Sequence, residues 1–282
     1  MTNEQKQKLI REKAASLLKD GTVGYIIGWR ETRFPDRCAV SFTHAAEDAD
    51  LLVWNEYTVP LTAKYLSDDR WPEGKVGILA RGCDSKAINR LINDNQIERE
   101  NIYIIGLPCE GKSDDRCLSC TRKNPVIYDE LLWEPEEPDT PPERSRFFRT
   151  EEVEALSVQA RFDYWEDVYG RCIRCYACRN VCPVCTCREC YVDMNRDGFQ
   201  GKHHNTAENT VFGITRAFHV GDRCIECGEC ERACPMALPI LGQTQKIIKT
   251  VEELSGDYES GMDAAGENYL GKYDLDDKDT FM

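Results

Sequence analysis

CIRCYACRNVCPVCTCREC, residues 172–190, and CIECGECERACP, residues 224–235, are the stretches that decide how this chain is read. Each opens with one cadence: Cys172-x2-Cys175-x2-Cys178-x3-Cys182-Pro183 in the first, Cys224-x2-Cys227-x2-Cys230-x3-Cys234-Pro235 in the second. Three thiolates at successive three-residue steps suit the corners of an iron-sulfur cube. Zinc favours Cys-x2-Cys pairs separated by a knuckle or helix and has no need of the third step. The proline after each last cysteine turns the chain away from helix. Two copies with the same proline point to iron and sulfide.

The spacing resembles that of bacterial two-cluster ferredoxins, in which three neighbouring cysteines hold one cluster and the fourth crosses to the other. The resemblance implies one 4Fe-4S cluster on Cys172, Cys175, Cys178 and Cys234. It implies a second on Cys224, Cys227, Cys230 and Cys182, with the fourth thiolate exchanged between the motifs.

The rest of the composition agrees with metal chemistry. The 282 residues contain 16 cysteines, and 50 acidic against 36 basic residues give a net charge of -14. Such a balance disfavours a nucleic-acid partner. The first twenty residues carry charges throughout and lack the apolar stretch of a secretory signal. They read as a helix with Thr2 and Gln5 at capping-box spacing, an apolar stripe at Leu9, Ile10, Ala14, Leu17 and Leu18, and a stop at Asp20-Gly21. No apolar run is long enough to span a membrane, so a soluble, cytoplasmic protein without direct membrane insertion is expected. A reducing cytoplasm favours metal ligation over disulfides.

Prolines 135, 138, 141 and 142 mark a semi-rigid linker, and the organisation expected is four-part. Residues 1–133 form an α/β cluster-binding domain, 134–150 the proline-rich linker, 151–255 a loop-rich α+β dicluster ferredoxin-like domain, and 256–282 an acidic extended tail. In the first part, strands are expected at 23–27 and 39–42, and mostly helix at 49–66 with a break near Pro60. The run Val76 to Ala80, the helical pattern Ser85 to Asn93 and the run Ile102 to Leu107 make a crossover unit with parallel strands. Cys83 and Cys109 then lie just past the carboxyl ends of neighbouring strands, where open α/β sheets hold their ligands. In the second part, helices are expected at 151–165, with Val153, Leu156 and Ala160 inward, and at 243–253.

KVGILARGCDSKA, NIYIIGLPCEG and CLSCTRKNP carry Cys83, Cys109, Cys117 and Cys120 in the order Gly-Cys, Pro-Cys and Cys-x2-Cys. These segments resemble the beta-subunit family of coenzyme F420-dependent hydrogenases and dehydrogenases. The resemblance implies that the four cysteines hold a third 4Fe-4S cluster; buried thiols or a zinc site are the alternatives the residues alone leave open. The cysteine-rich second domain likewise resembles the ferredoxin part of formate dehydrogenase beta subunits and of chains accompanying heterodisulfide reductase. In that family the first domain continues into a larger flavin-bearing region, whereas this chain reaches its prolines soon after Cys120. With no Gly-x-Gly-x-x-Gly either, FAD is not expected.

Cys38, Cys185, Cys187 and Cys190 remain. They would complete a fourth metal site only if Cys38 reached the Cys-x-Cys-x2-Cys run, or if His203, His204 or His219 supplied a ligand; ordinary thiols in a tight loop are the alternative. Arg171, Arg174, Arg179, Arg188, Arg223 and Arg232 interleave with the motifs, as cluster-tuning charges or as partners of Glu189, Glu226, Glu229 and Glu231. No catalytic triad or His-x2-Glu arrangement is present. The function expected is an iron-sulfur electron-transfer subunit of an anaerobic oxidoreductase complex. Its partners would be a catalytic subunit and a further redox subunit. The alternative is a flavin-containing subunit that exchanges hydride with F420 or a nicotinamide.

Overall fold

Helix α1 (Asn3–Lys19) starts on the expected reciprocal cap: the Gln5 amide donates to Thr2 Oγ1 at 3.2 Å and the Thr2 amide to Gln5 Oε1 at 2.9 Å. Its buried stripe of Ile10, Ala14 and Leu17 lies against a five-stranded sheet. Strand β1 (Tyr25–Glu31) pairs antiparallel with β2 (Cys38–Thr43) and parallel with β3 (Val76–Ala80). Helix α2 (Gly82–Asn93) crosses to β4 (Ile102–Gly106), parallel to β3, and the two-residue β5 (Glu130–Leu131) extends the parallel set. The order is β2-β1-β3-β4-β5, so the first domain is α/β with a mostly parallel sheet. The computed structural model describes residues 1–67, 74–135, 139, 142–194, 200–201 and 203–263.

Strand side chains alternate between two cores. Ile26, Leu79 and Ile105 join α1 on one face. Ile27, Ile78 and Ile104 join Ala87 and Ile88 of α2 on the other, and that second core also contains Ile225, from the second cysteine motif. The two cysteine-bearing halves therefore share buried surface.

The second half contributes α3 (Phe148–Glu154), α4 (Val158–Gly170), α5 (Ala177–Asn180), α6 (Thr206–Val220), α7 (Glu229–Arg232) and α8 (Leu241–Ser255). Three expectations change. The helix at 151–165 is two helices, because Ser157 accepts from the Ala160 amide and caps a new start; Leu156 at the join is exposed. The helix at 49–66 is replaced by two short 3-10 turns, at 46–51 and 63–67. The carbonyls of Thr58, Val59 and Pro60 between them accept from the Arg81 guanidinium instead of from a helix. α6, a fifteen-residue helix, lies within the region expected to be loops.

Part of the expected linker is laid on the first domain: Asp139 accepts from the amides of Lys123 and Asn124, and Arg144 pairs with Asp115. α3 begins inside that segment, at Phe148. Residues 136–138 and 140–141 lie outside the described residues, as do residues 264–282 of the expected tail. The described start of that tail is docked. Glu259 pairs with Lys86 and Arg122, Asn89 Nδ2 donates to the Gly261 carbonyl at 3.0 Å, and Ser260 is buried. Among the described residues no helix is long and apolar enough to cross a membrane.

Candidate metal centres

Cys83 stands in the first turn of α2, directly after β3, and Cys109 follows β4. The Leu107 amide donates to the Ala80 carbonyl at 2.8 Å and holds the two strand ends side by side. Cys117 and Cys120 come from the 3-10 turn Asp115–Ser119 and its cap. Gly82 lets the loop after Cys120 close onto α2, since a Cβ there would lie 2.2 Å from the Arg122 carbonyl oxygen. Cys83, Cys109, Cys117 and Cys120 thus line one cavity, of about 320 Å³.

The two motifs fold with matched backbones. Arg174 (φ 51°) and Glu226 (φ 57°) are left-handed, as are Tyr176 (φ 59°) and Gly228 (φ 72°), and each pair leads into a single helical turn, α5 or α7. Cys172, Cys175, Cys178 and Cys234 line one cavity. Cys182, Cys224, Cys227 and Cys230 line another. These groupings coincide with the crossed sets that the ferredoxin resemblance implies. Among the described residues no three His, Cys, Asp or Glu side chains are placed to hold a single metal ion.

Each set includes a sulfur that accepts from a backbone amide: Cys109 from Gly111 at 3.4 Å, Cys224 from Glu226 at 3.4 Å, Cys234 from Leu238 at 3.5 Å. Such donors stabilise the thiolate form. Burial acts the other way. It pushes the Cys224 thiol up to about 12 and raises those of Cys83, Cys227 and Cys230 as well. A metal bound by these thiols would have to displace their protons. Cys182 is the exception, because the Cys185 thiol donates to it and lowers its pKa.

Three arginines stand among these sulfurs, Arg81 and Arg216 buried and Arg116 half-buried, none of them singled out by the motifs. Arg81 is clasped by Asp84, with Nε 2.7 Å from Oδ2, and its guanidinium lies 4.7 Å from the Trp29 ring centroid. Arg116, next to Cys117, reaches the second motif, donating to the Cys227 carbonyl and pairing with Glu229. It joins the first-domain cysteines to the set around Cys227. Arg216 of α6 lines both cavities of the second domain. It is 7% exposed, donates Nη2 to the Cys178 carbonyl at 3.2 Å, and has no hydrogen-bond partner at Nε. A cation with this environment requires anionic neighbours, and thiolate-bound clusters are anions, so the donor set fits 4Fe-4S centres. The capping Asn205 is the local signal for the start of α6, but nothing in the sequence marks Arg216 itself.

The four remaining cysteines are not brought together. Cys38 is buried in the α1-facing core, its sulfur 3.5 Å from Asn55 Oδ1. Cys185 packs with Cys182, Val184 and Val220. Cys187 is exposed, and Cys190 interacts with Arg179. A fourth site built from Cys38 and this run is therefore not formed: Cys38 faces the sheet core. Of the candidate histidines, His204 Nε2 lies 2.6 Å from the Cys172 carbonyl oxygen, and His219 packs on Tyr191 with ring centroids 5.3 Å apart. The motif arginines are mostly paired with acids, Arg179 with Asp193, Arg223 with Asp94 and Arg232 with Glu229.

Residues 171–239 match the family described as 4Fe-4S dicluster domain. The chain is similar to an F420-dependent formate dehydrogenase subunit beta of Methanocaldococcus jannaschii, 25% identical over an alignment of 276 residues that covers 64% of this chain and 71% of that protein. A short segment is similar to an F420-dependent formate dehydrogenase 1 subunit beta of Methanococcus maripaludis, 56% identical over 34 residues, or 10% of this chain and 9% of that one. Residues 171–239 are thus a 4Fe-4S dicluster domain, and the similarity to the formate dehydrogenase beta subunit extends beyond it.

Proposed function

We propose that this chain is an electron-relay subunit of an anaerobic, cytoplasmic oxidoreductase complex, with three 4Fe-4S centres in series. The first is held by Cys83, Cys109, Cys117 and Cys120. The middle one is held by Cys182, Cys224, Cys227 and Cys230, and the last by Cys172, Cys175, Cys178 and Cys234. The observation that carries this reading is the lining of three cavities by cysteines, four in each second-domain cavity with Cys182 and Cys234 exchanged between motifs, and in the first cavity Cys83, Cys109, Cys117 and Cys120 with Cys227 of the middle set on its wall. Arg116 links the first set to the middle one, and Arg216 borders the middle and last sets. The clusters supply one-electron chemistry; the chain binds them, spaces them and surrounds them with fixed charges. Among the described residues no set for substrate chemistry accompanies them, so on this reading a catalytic subunit feeds or drains the relay and a further redox subunit completes it. The names of the relatives support formate as that catalytic partner's substrate.

Anaerobically loaded protein is expected to bind about twelve irons per chain, four for each cluster. A plateau at about eight would remove the first-domain centre. Cys182→Ser should alter the spectrum of the cluster on Cys224, Cys227 and Cys230; a change confined to the cluster on Cys172, Cys175 and Cys178 would overturn the crossed assignment. The isolated chain should oxidise neither formate, hydrogen nor a nicotinamide.

One observation favours a flavin-bearing subunit as the second reading. The first-domain cavity lies within the size range of small-molecule sites and is walled by Arg116, Arg122, Arg144, Arg146 and Arg149. Flavin absorbance in the anaerobically purified chain, with turnover by that chain alone, would establish that reading instead.

A further inference from the structure

The arginines beside the cysteine sets differ in their counter-charge. Arg81 is neutralised by Asp84 and Arg116 by Glu229. Arg216 is not: among the described residues no carboxylate forms an ion pair with it, and its Nε is buried without an acceptor. Glu229, which shares the wall of the middle cavity, is held by Arg116 and Arg232. The groups that act most strongly on the Arg216 charge are sulfurs from both motifs, Cys182, Cys230, Cys185 and Cys178.

An unpaired guanidinium away from water is strongly unfavourable unless something anionic offsets it. A cluster with four thiolate ligands is an anion in both redox states and gains one more negative charge on reduction. A fixed cation therefore favours the reduced state, and net charge and hydrogen bonds at the sulfurs are established determinants of cluster potential. Because Arg216 borders both cavities, it acts on two centres at once. The paired arginines, with no net charge to offer, act weakly.

Resting on the three-centre reading above, we propose that Arg216 is the potential-setting residue of the two ferredoxin-type centres, raising both together relative to the first-domain centre. The step it governs is a one-electron transfer. A reduced first-domain centre gives up one electron, a ferredoxin-type centre accepts it, and no bond or proton changes hands because guanidinium stays charged. Its effect is to favour residence of the electron on the pair.

The test is an EPR-monitored potentiometric titration of the full, anaerobically loaded chain, with iron and sulfide counted in each preparation. Arg216→Gln should lower the reduced-to-oxidised ratio of both ferredoxin-type centres about tenfold or more at a fixed potential, a shift of about 59 mV for one electron. The first-domain centre should keep its ratio. Arg216→Lys, which retains charge without the planar fork, should recover most of the loss. A fully loaded Arg216→Gln chain in which all three centres shift equally, or none does, would overturn the assignment. If the Gln variant does not load, Arg216→Lys decides: full loading with ratios near wild type supports the role of charge, and failure to load or a tenfold drop refutes it. Wild-type protein that itself binds only about eight irons or fewer would fail the underlying three-centre reading, not this inference.

Discussion

The two cysteine motifs have one cadence and one backbone, yet they occupy opposite environments. Ile173, one residue after Cys172, is 49% exposed, whereas its counterpart Ile225 is 4% exposed and belongs to the core beneath the parallel sheet. Cys175 is exposed; Cys227, at the same place in the second motif, packs against that core. Spacing thus dictates the local turn, with its left-handed residues and single helical turn. What packs on the turn decides whether its cysteines lie inside the chain or near its surface. In the relay proposed above, the first motif would exchange electrons with a partner and the second would pass them within the chain.

The largest expected asymmetry is in stability. Ile225→Ala empties a site between the sheet and the second motif and should cost about 2–5 kcal/mol. Ile173→Ala removes a solvent-facing side chain and should change stability by about 0.5 kcal/mol or less. Denaturant unfolding of the loaded chains, followed by tryptophan fluorescence and cluster absorbance, measures both. Equal costs would mean that the two motifs are not differently supported.

A smaller difference is expected at the left-handed positions. At Gly228 a Cβ would sit 3.0 Å from Cδ and 3.2 Å from Cβ of Arg116, so Gly228→Ala meets both an unfavourable backbone and a crowded neighbour. A cost of about 1–3 kcal/mol follows. At the counterpart, Tyr176→Gly relieves about 1–2 kcal/mol of left-handed strain and forfeits an edge contact with Phe212, rings 5.2 Å apart, worth about 0.5–1.5 kcal/mol. The net change should be within about 1 kcal/mol by the same assay. If Gly228→Ala proves as mild as Tyr176→Gly, the contact with Arg116 does not constrain the second motif.

Much of this arrangement is legible in the sequence where the signal is local. The capping box of α1, the crossover from β3 through α2 to β4, and the cysteine cadence depend on spacing within short windows, and the structure has them with small boundary shifts. α6 is not legible in that way because Asn209 and Arg216 occupy its buried face and interrupt the apolar period. Asn209 is buried because it donates to the carbonyls of Tyr169 and Cys172. Arg116 and Arg216 acquire their roles from the Cys227 and Cys178 carbonyls, 111 and 38 residues away, a proximity that only the packed chain creates. The helix lost at 49–66 has the same cause, since its carbonyls serve the distant Arg81.

The smallest asymmetry lies behind the second motif. Residues 257–263 form a strap in which Tyr258 donates to the Asp222 carbonyl and Ser260 Oγ to the Arg223 carbonyl at 3.0 Å, just before Cys224. Its anchor is Glu259, 2.8 Å from Lys86 Nζ, 2.6 Å from Thr121 Oγ1 and 3.2 Å from Arg122 Nε. Burial alone would raise that carboxyl, but Lys86, Thr121 and Arg122 outweigh it and hold it at about 2, below its ordinary 4.5. The folded state therefore binds the proton less readily than the unfolded one. The anchor's contribution is full above 4.5 and is lost as pH falls towards 2. Glu259→Gln should lose that contribution and increase hydrogen exchange at residues 222–224, while residues 170–172 before the first motif keep their protection. Because the carboxyl stays ionised, the difference from wild type should be constant between about pH 6 and pH 8. Equal deprotection before both motifs would show that the strap supports the whole second half and not the buried motif in particular.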